Sequence, residues 1–256
     1  MGTKRIKSNS RRNFIRNSAA IAGGMFAASF VKPFNAVVFA ANPENETGKW
    51  YGIGIDLDKC IGCGSCAKAC KTENNVPLEP FYFRSWVEQY TITNDEKINV
   101  VAPNGGIDGF TQTIPDENIF QTFFVPKMCN HCSKSPCVQV CPVGATYESP
   151  DGIVLVDKTY CVGCRYCVQA CPYGCRYILP DEGVVDKCTL CYHRIKKGLN
   201  PACMDICPTG ARQYGDLNDK DGNMKKFLKE HNCQVLKPHL NTGSKLYYNS
   251  LNSEVR

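Results

Sequence analysis

Between residues 50 and 215 the apolar positions come in short bursts, and one form of burst recurs. Gly52-Ile53-Gly54-Ile55-Asp56-Leu57, Gly152-Ile153-Val154-Leu155-Val156-Asp157 and Gly183-Val184-Val185-Asp186 each start at glycine and run through aliphatic residues towards an Asp-Lys pair. Bursts of this length and β-branched content predict short strands. Four further segments place an apolar residue on each side of a polar one: Ala67-Lys68-Ala69, Val138-Gln139-Val140, Val168-Gln169-Ala170 and Met204-Asp205-Ile206. That pattern predicts a short, half-buried helical turn. Residues 81–90, rich in aromatics, predict a longer strand, and residues 119–125 another, with a turn at Asn104-Gly105-Gly106 between them. The whole of 71–128 reads as a β-rich insertion, a layer against the core or against a partner. Beyond Gly215, residues 224–231 predict one helix, followed by an irregular stretch holding Pro238, Tyr247 and Tyr248.

The N-terminal forty residues follow a different pattern. Ser10-Arg11-Arg12-Asn13-Phe14-Ile15-Arg16 resembles the twin-arginine export signal S-R-R-x-F-L-K, with Ile for Leu and Arg for Lys. Residues 19–31 are apolar but too short to span a bilayer, and Val38-Phe39-Ala40 offers a small-residue cleavage site. Residues 1–40 therefore read as a leader, which predicts a periplasmic mature protein. This leader also explains the formal charge of +6, because it holds seven basic residues and no acid. The remainder sets 23 basic against 24 acidic residues, a net charge of −1, which removes the electrostatic case for nucleic acid. No apolar segment near twenty residues follows the leader, so membrane association is expected only through a partner.

Cysteine changes the picture most. The helical-turn segments are the interiors of four C-x3-C endings, and sixteen of eighteen cysteines fall in four runs. Cys60, Cys63, Cys66 and Cys70 have the spacing C-x2-C-x2-C-x3-C, and Cys161, Cys164, Cys167 and Cys171 repeat it. Cys129, Cys132, Cys137 and Cys141 widen the middle gap to four, and Cys188, Cys191, Cys203 and Cys207 widen it to eleven. The third run, with Pro172 after it, has the bacterial ferredoxin spacing for 4Fe-4S clusters, in which the last cysteine serves a different cluster from the first three. Disulfides give no reason for such a repeat. Zinc suits paired cysteines better than three-cysteine loops, although the fourth run alone approaches zinc spacing.

After three of the runs comes a second repeat, Cys141-Pro142-Val143-Gly144-Ala145, Cys171-Pro172-Tyr173-Gly174-Cys175 and Cys207-Pro208-Thr209-Gly210-Ala211; in the first run Lys71 replaces the proline. Cys175 stands where its siblings have alanine, which predicts a small packed side chain, and Cys233 lies outside every run and reads as structural. Lys59, Lys127, Lys158 and Lys187 stand beside the runs, where an ammonium can tune a negatively charged cluster or simply be solvated. His131 and His193 are expected to pack or hydrogen bond, because every cluster already has four cysteines. Nothing suggests a nucleophile, a general base or a nucleotide loop, so the chain reads as non-catalytic.

These four spacings, in this order, resemble the iron-sulfur electron-transfer subunit of the dimethyl sulfoxide reductase family of molybdoenzymes, which includes polysulfide, thiosulfate, tetrathionate and arsenate systems. Residues 70–77, Cys-Lys-Thr-Glu-Asn-Asn-Val-Pro, and 186–191, Asp-Lys-Cys-Thr-Leu-Cys, are also similar to that family, and the likeness covers about 50–215. It implies an α+β fold of two pseudo-symmetric ferredoxin-like halves; 216–256, a long segment with no cluster ligand, reads as a C-terminal docking tail. The same resemblance implies four 4Fe-4S clusters with crossed ligands: Cys60, Cys63, Cys66 with Cys207; Cys188, Cys191, Cys203 with Cys70; Cys129, Cys132, Cys137 with Cys171; and Cys161, Cys164, Cys167 with Cys141. The expected partners are a molybdopterin catalytic subunit and an integral membrane quinol-reactive subunit or cytochrome. The alternative is a soluble polyferredoxin of a formate-dependent nitrite reductase system.

Overall fold

The computed structural model describes residues 48–255; the leader lies outside the described residues. Small sheets and short helices alternate along the chain, as in an α+β fold. The glycine-led burst at 52–57 forms β1 (Tyr51–Asp56), whose residues from Gly52 onward are all buried. β1 pairs antiparallel with β9 (Arg212–Asp216) and parallel with β10 (Leu246–Asn249). The other two bursts supply β6 (Val154–Val156) and β8 (Val185–Lys187). Each closes a three-residue antiparallel hairpin, with β5 (Thr146–Glu148) and β7 (Arg176–Ile178) respectively.

The C-x3-C segments are short helical turns, as their pattern predicts: α1 (Ser65–Asn74), α2 (Pro136–Gln139), α3 (Tyr166–Gln169) and α5 (Ala202–Asp205). Only α1 runs on past its last cysteine, because Lys71 leaves the backbone free to continue where Pro follows in the other three. Between β8 and α5 lies α4 (Tyr192–Ile195), and α6 (Asn223–Glu230) matches the expected tail helix.

The insertion forms its own antiparallel sheet, ordered β3 (Ile98–Val101), β2 (Ser85–Thr93), β4 (Ile119–Met128). The strand expected over 81–90 starts four residues late. Phe81 is 83% exposed, and the chain does not become extended until Arg84 is anchored by a buried ion pair with Asp186. This sheet packs against the first cysteine loop: a Cβ on Gly62 would collide with the Phe124 ring, and one on Gly64 with the Gly106 carbonyl. Both glycines have positive φ, so space and backbone conformation demand glycine together.

The tail departs from expectation most. The stretch read as irregular contains β10, in which Leu246 and Tyr248 are both fully buried opposite Ile53 and Ile55. The Tyr248 hydroxyl donates to the Pro126 carbonyl at 3.0 Å, and its backbone pairs with Gln234. Residues 246–249, read as irregular, are therefore a strand of the core sheet. With only four residues and a lysine before it, β10 carries too weak a local pattern to be read as a strand; its partner β1 makes it one.

Candidate metal centre

Folding gathers the scattered cysteines into rings. Cys60, Cys63 and Cys66, from the loop after β1 and the start of α1, line one small enclosed cavity with Cys207, which follows α5. Cys129, Cys132 and Cys137 line another with Cys171, which follows α3. Cys70, at the far side of α1, sits within the electrostatic reach of Cys188, Cys191 and Cys203, and the Asn74 amide lies 3.7 Å from both Cys70 Sγ and Cys191 Sγ. These are rings one, three and two respectively. For the fourth set, α2 packs on α3, and Cys161 packs against the small apolar cluster that holds Cys167; Cys141 follows α2 within one turn, and its place with them rests on the resemblance.

The turn after three of the closing cysteines, Cys141, Cys171 and Cys207, has a chemical purpose. In Cys-Pro-x-Gly-x the glycine takes a left-handed φ of 64 to 67° (Gly144, Gly174, Gly210) and returns its N–H to the cysteine carbonyl. That geometry turns the N–H groups two and four residues on towards the sulfur. Burial pushes the Cys141 and Cys207 thiols up, but these amides, with the Thr146 and Thr209 hydroxyls, outweigh it and bring both down. Cys171 falls furthest, to about 5, chiefly through the Cys175 thiol. Cys175 is buried, as its alanine siblings predict, with its thiol donating to the Met128 carbonyl at 3.1 Å and lying beside the Cys171 sulfur. Three buried cysteines without such a turn go the other way: burial pushes Cys132 and Cys188 up to about 12 and Cys203 to about 11.

Buried cations surround the rings. Arg176, Lys187 and Arg212 are each at most 5% exposed and form no ion pair with a carboxylate among the described residues. Arg176 Nη2 donates to Cys137 Sγ at 2.9 Å, while Lys187 Nζ donates to the Cys188 carbonyl at 2.6 Å. The lysines beside the runs therefore divide. Lys59 and Lys158 are exposed partners of Asp56 and Glu182; Lys127 is buried against Glu88 at 2.7 Å; Lys187 is the one buried among cysteines.

Arg84 adds a link that sequence reasoning missed. It grips Asp186 through two bonds of 2.8 Å, and its Nη1 donates to Asn74 Oδ1, which turns the Asn74 amide onto ring two. The insertion is thereby tied to the loop of the fourth run. Arg176 and Arg212 were missed too, although Cys-Pro-x-Gly-x-Arg occurs twice in the sequence.

Among the described residues three buried side-chain donors have no partner: Arg212 Nη2, Asn130 Nδ2, and His131 Nε2, which must carry the proton because Nδ1 accepts from the Val154 N–H. Buried orphan donors are rare, and unpaired buried cations are costly. A group that is negatively charged and rich in acceptor sulfurs fits both, and a 4Fe-4S cube held by four thiolates is such a group. Among the described residues, no three His, Cys, Asp or Glu side chains close to the spacing of a single bound ion. His193, by contrast, sits at the surface 2.7 Å from Glu73.

Four-cysteine rings with amide-directed sulfurs and buried cations define a ferredoxin-type protein. A 4Fe-4S dicluster domain family matches residues 59–145 and a second such family residues 120–217, each spanning consecutive runs, whereas ring one joins the first run to the fourth. The chain is 45% identical to a tetrathionate reductase subunit of Archaeoglobus fulgidus, over 80% of this chain and 84% of that one. It is 38% identical to the corresponding tetrathionate reductase subunit of Salmonella typhimurium, over 94% and 88%. With the arsenate respiratory reductase iron-sulfur subunit of a Shewanella species it shares 34%, over 77% and 94%. The chain belongs to the iron-sulfur electron-transfer subunits of the dimethyl sulfoxide reductase family.

Proposed function

We propose that the sixteen cysteines of the four runs hold four 4Fe-4S clusters in two pseudo-symmetric halves, and that the chain relays electrons without bond chemistry of its own. The observation that carries this is the convergence of Cys207, 141 positions or more away in sequence, onto the loop of Cys60, Cys63 and Cys66, in the crossed manner a two-cluster ferredoxin requires. When bound, each cluster supplies a one-electron redox centre whose potential depends on charge, burial and hydrogen bonds to sulfur. The protein's own residues supply those: amides from the Cys-Pro-x-Gly turns, Asn74 at ring two, and the buried cations.

The neighbours of each ring support an order along the wire. Arg212 lies between Cys60 and Cys66 of ring one and Cys203 of ring two. Cys188 of ring two feels Cys129 of ring three, and Arg176 feels both ring three and Cys167. Only Cys63 and Cys164 are exposed, one in ring one and one in the fourth set. The order one, two, three, four follows, with a partner's redox centre at each end. Exposed Ile61 stands beside Cys63, and exposed Tyr160, Val162 and Tyr166 beside Cys164, apolar surface suited to docking.

The relatives are subunits of reductases, which supports a molybdopterin catalytic subunit as one partner. The other is an integral membrane quinol-reactive subunit or a cytochrome, and no described helix is long and apolar enough to cross a membrane. The twin-arginine leader supports a periplasmic site of work in anaerobic respiration. Anaerobic purification from native membranes, with metal and sulfide assay, tests the proposal. About sixteen irons and as many sulfides per chain, with a molybdopterin subunit in the same complex, is the expected result; about four irons, or mainly zinc, defeats it.

A further inference from the structure

Arg176 and Arg212 occupy the same place in the repeat, five residues after the closing cysteines Cys171 and Cys207. Thr146 holds that place after Cys141, and the first run has no counterpart because α1 continues there. Both arginines open the strand after the Cys-Pro-x-Gly turn, β7 and β9, so the turn delivers each guanidinium into the interior beside the sulfur it has just directed. They are 5% and 4% exposed, and neither pairs with a carboxylate among the described residues. A structural arginine buried for the sake of the fold usually has such a partner, as Arg84 has in Asp186.

What they have instead are cysteines of two rings at once. Arg176 Nη2 donates to Cys137 Sγ at 2.9 Å in ring three, and its Nη1 donates to Thr146 Oγ1 at 3.2 Å. The Thr146 hydroxyl in turn bonds the Cys141 sulfur, so one guanidinium bridges a ring-three ligand to a ligand of the fourth set. Arg212 lines the ring-one cavity with Cys60, Cys66 and Cys207, lies beside Cys203 of ring two, and keeps Nη2 buried without a partner.

Given the ligand reading above, on which this rests, we propose that Arg176 and Arg212 are paired tuning residues, each holding a fixed positive charge between two clusters and raising the reduction potentials of both. The charge acts because an added electron makes a cluster more negative, and a cation a few ångströms away in a buried site is weakly screened. Arginine suits the task because it cannot lose its proton, so the effect does not vary with pH.

The test is a redox titration followed by electron paramagnetic resonance on the intact complex, comparing wild type with Arg176→Gln, Arg176→Lys, Arg212→Gln and Arg212→Lys. Gln keeps a donor without the charge, and Lys keeps the charge. Each Gln variant should lower the reduction equilibrium of two clusters by at least tenfold, about 59 mV for a one-electron couple, and leave the other two unmoved. Each Lys variant should stay near wild type. Full iron with unmoved potentials in both Gln variants overturns the inference, and so does a Lys variant that falls as far as its Gln counterpart. If one Gln variant does not assemble, the Gln and Lys variants at the other arginine decide on the same criterion; if neither does, Arg176→Met and Arg212→Met, which remove the charge and keep an unbranched side chain, take their place. Iron content of the wild type, measured first, separates these results from failure of the ligand reading, which would show as a shortage before any substitution.

Discussion

Tyr248→Ala removes a fully buried ring and a hydroxyl that donates to the Pro126 carbonyl. An aromatic side chain buries about 150–250 Å², worth about 4–6 kcal/mol at about 25 cal/mol per Å². Large-to-small aromatic changes in cores cost about 3–5 kcal/mol, so about 4 kcal/mol is expected. For a chain of this size each kcal/mol moves Tm by about 2–4 °C, which puts the variant roughly 8–16 °C below wild type. Tyr248→Phe isolates the hydroxyl and should cost only about 1 kcal/mol. Removing residues 245–256 goes further, because it strips β10 from β1 and uncovers Ile53 and Ile55, which are at most 1% exposed. Losing Leu246 as well, at about 2–5 kcal/mol, brings the total close to the 5–15 kcal/mol that holds a typical domain together. The truncated chain should therefore lose its iron along with its fold. Scanning calorimetry and iron assay on the three variants measure this. A truncated protein that keeps its iron and melts within a few degrees of wild type would refute the reasoning.

Two further perturbations address the rings. Cys70→Ser and Cys188→Ser should disturb the same cluster spectrum although 118 positions separate them, because Cys70 sits among Cys188, Cys191 and Cys203; if Cys70→Ser instead alters the spectrum that Cys60→Ser alters, the crossed arrangement is wrong. Arg84→Met leaves Asp186 buried and unpaired, which should cost about 3–5 kcal/mol in thermal unfolding, and it frees the Asn74 amide to leave ring two. Unchanged stability would mean that Asp186 finds another partner.

What the sequence by itself determined is the local chemistry. The spacing within Cys60-x2-Cys63-x2-Cys66, the proline and left-handed glycine after three of the closing cysteines, and the aliphatic bursts before three of the loops all act over a few residues. Backbone conformations set by Pro and Gly depend on near neighbours, so they can be read along the chain. The late start of β2 already lies beyond that reach, because it waits on Arg84 meeting Asp186, 102 positions away.

Only the tertiary structure brings Cys207 to the loop of Cys60 and Cys171 to that of Cys129, turns Asn74 to Cys191, and buries Arg176 and Arg212 beside cysteines rather than leaving them at the surface. It also made a strand of residues 246–249, whose four positions say little until β1 supplies a partner and a buried face. Each of these is a pairing between groups far apart in sequence, and the free energy that selects it, from burial, ion pairing and ladder bonds, exists only once the two are brought together.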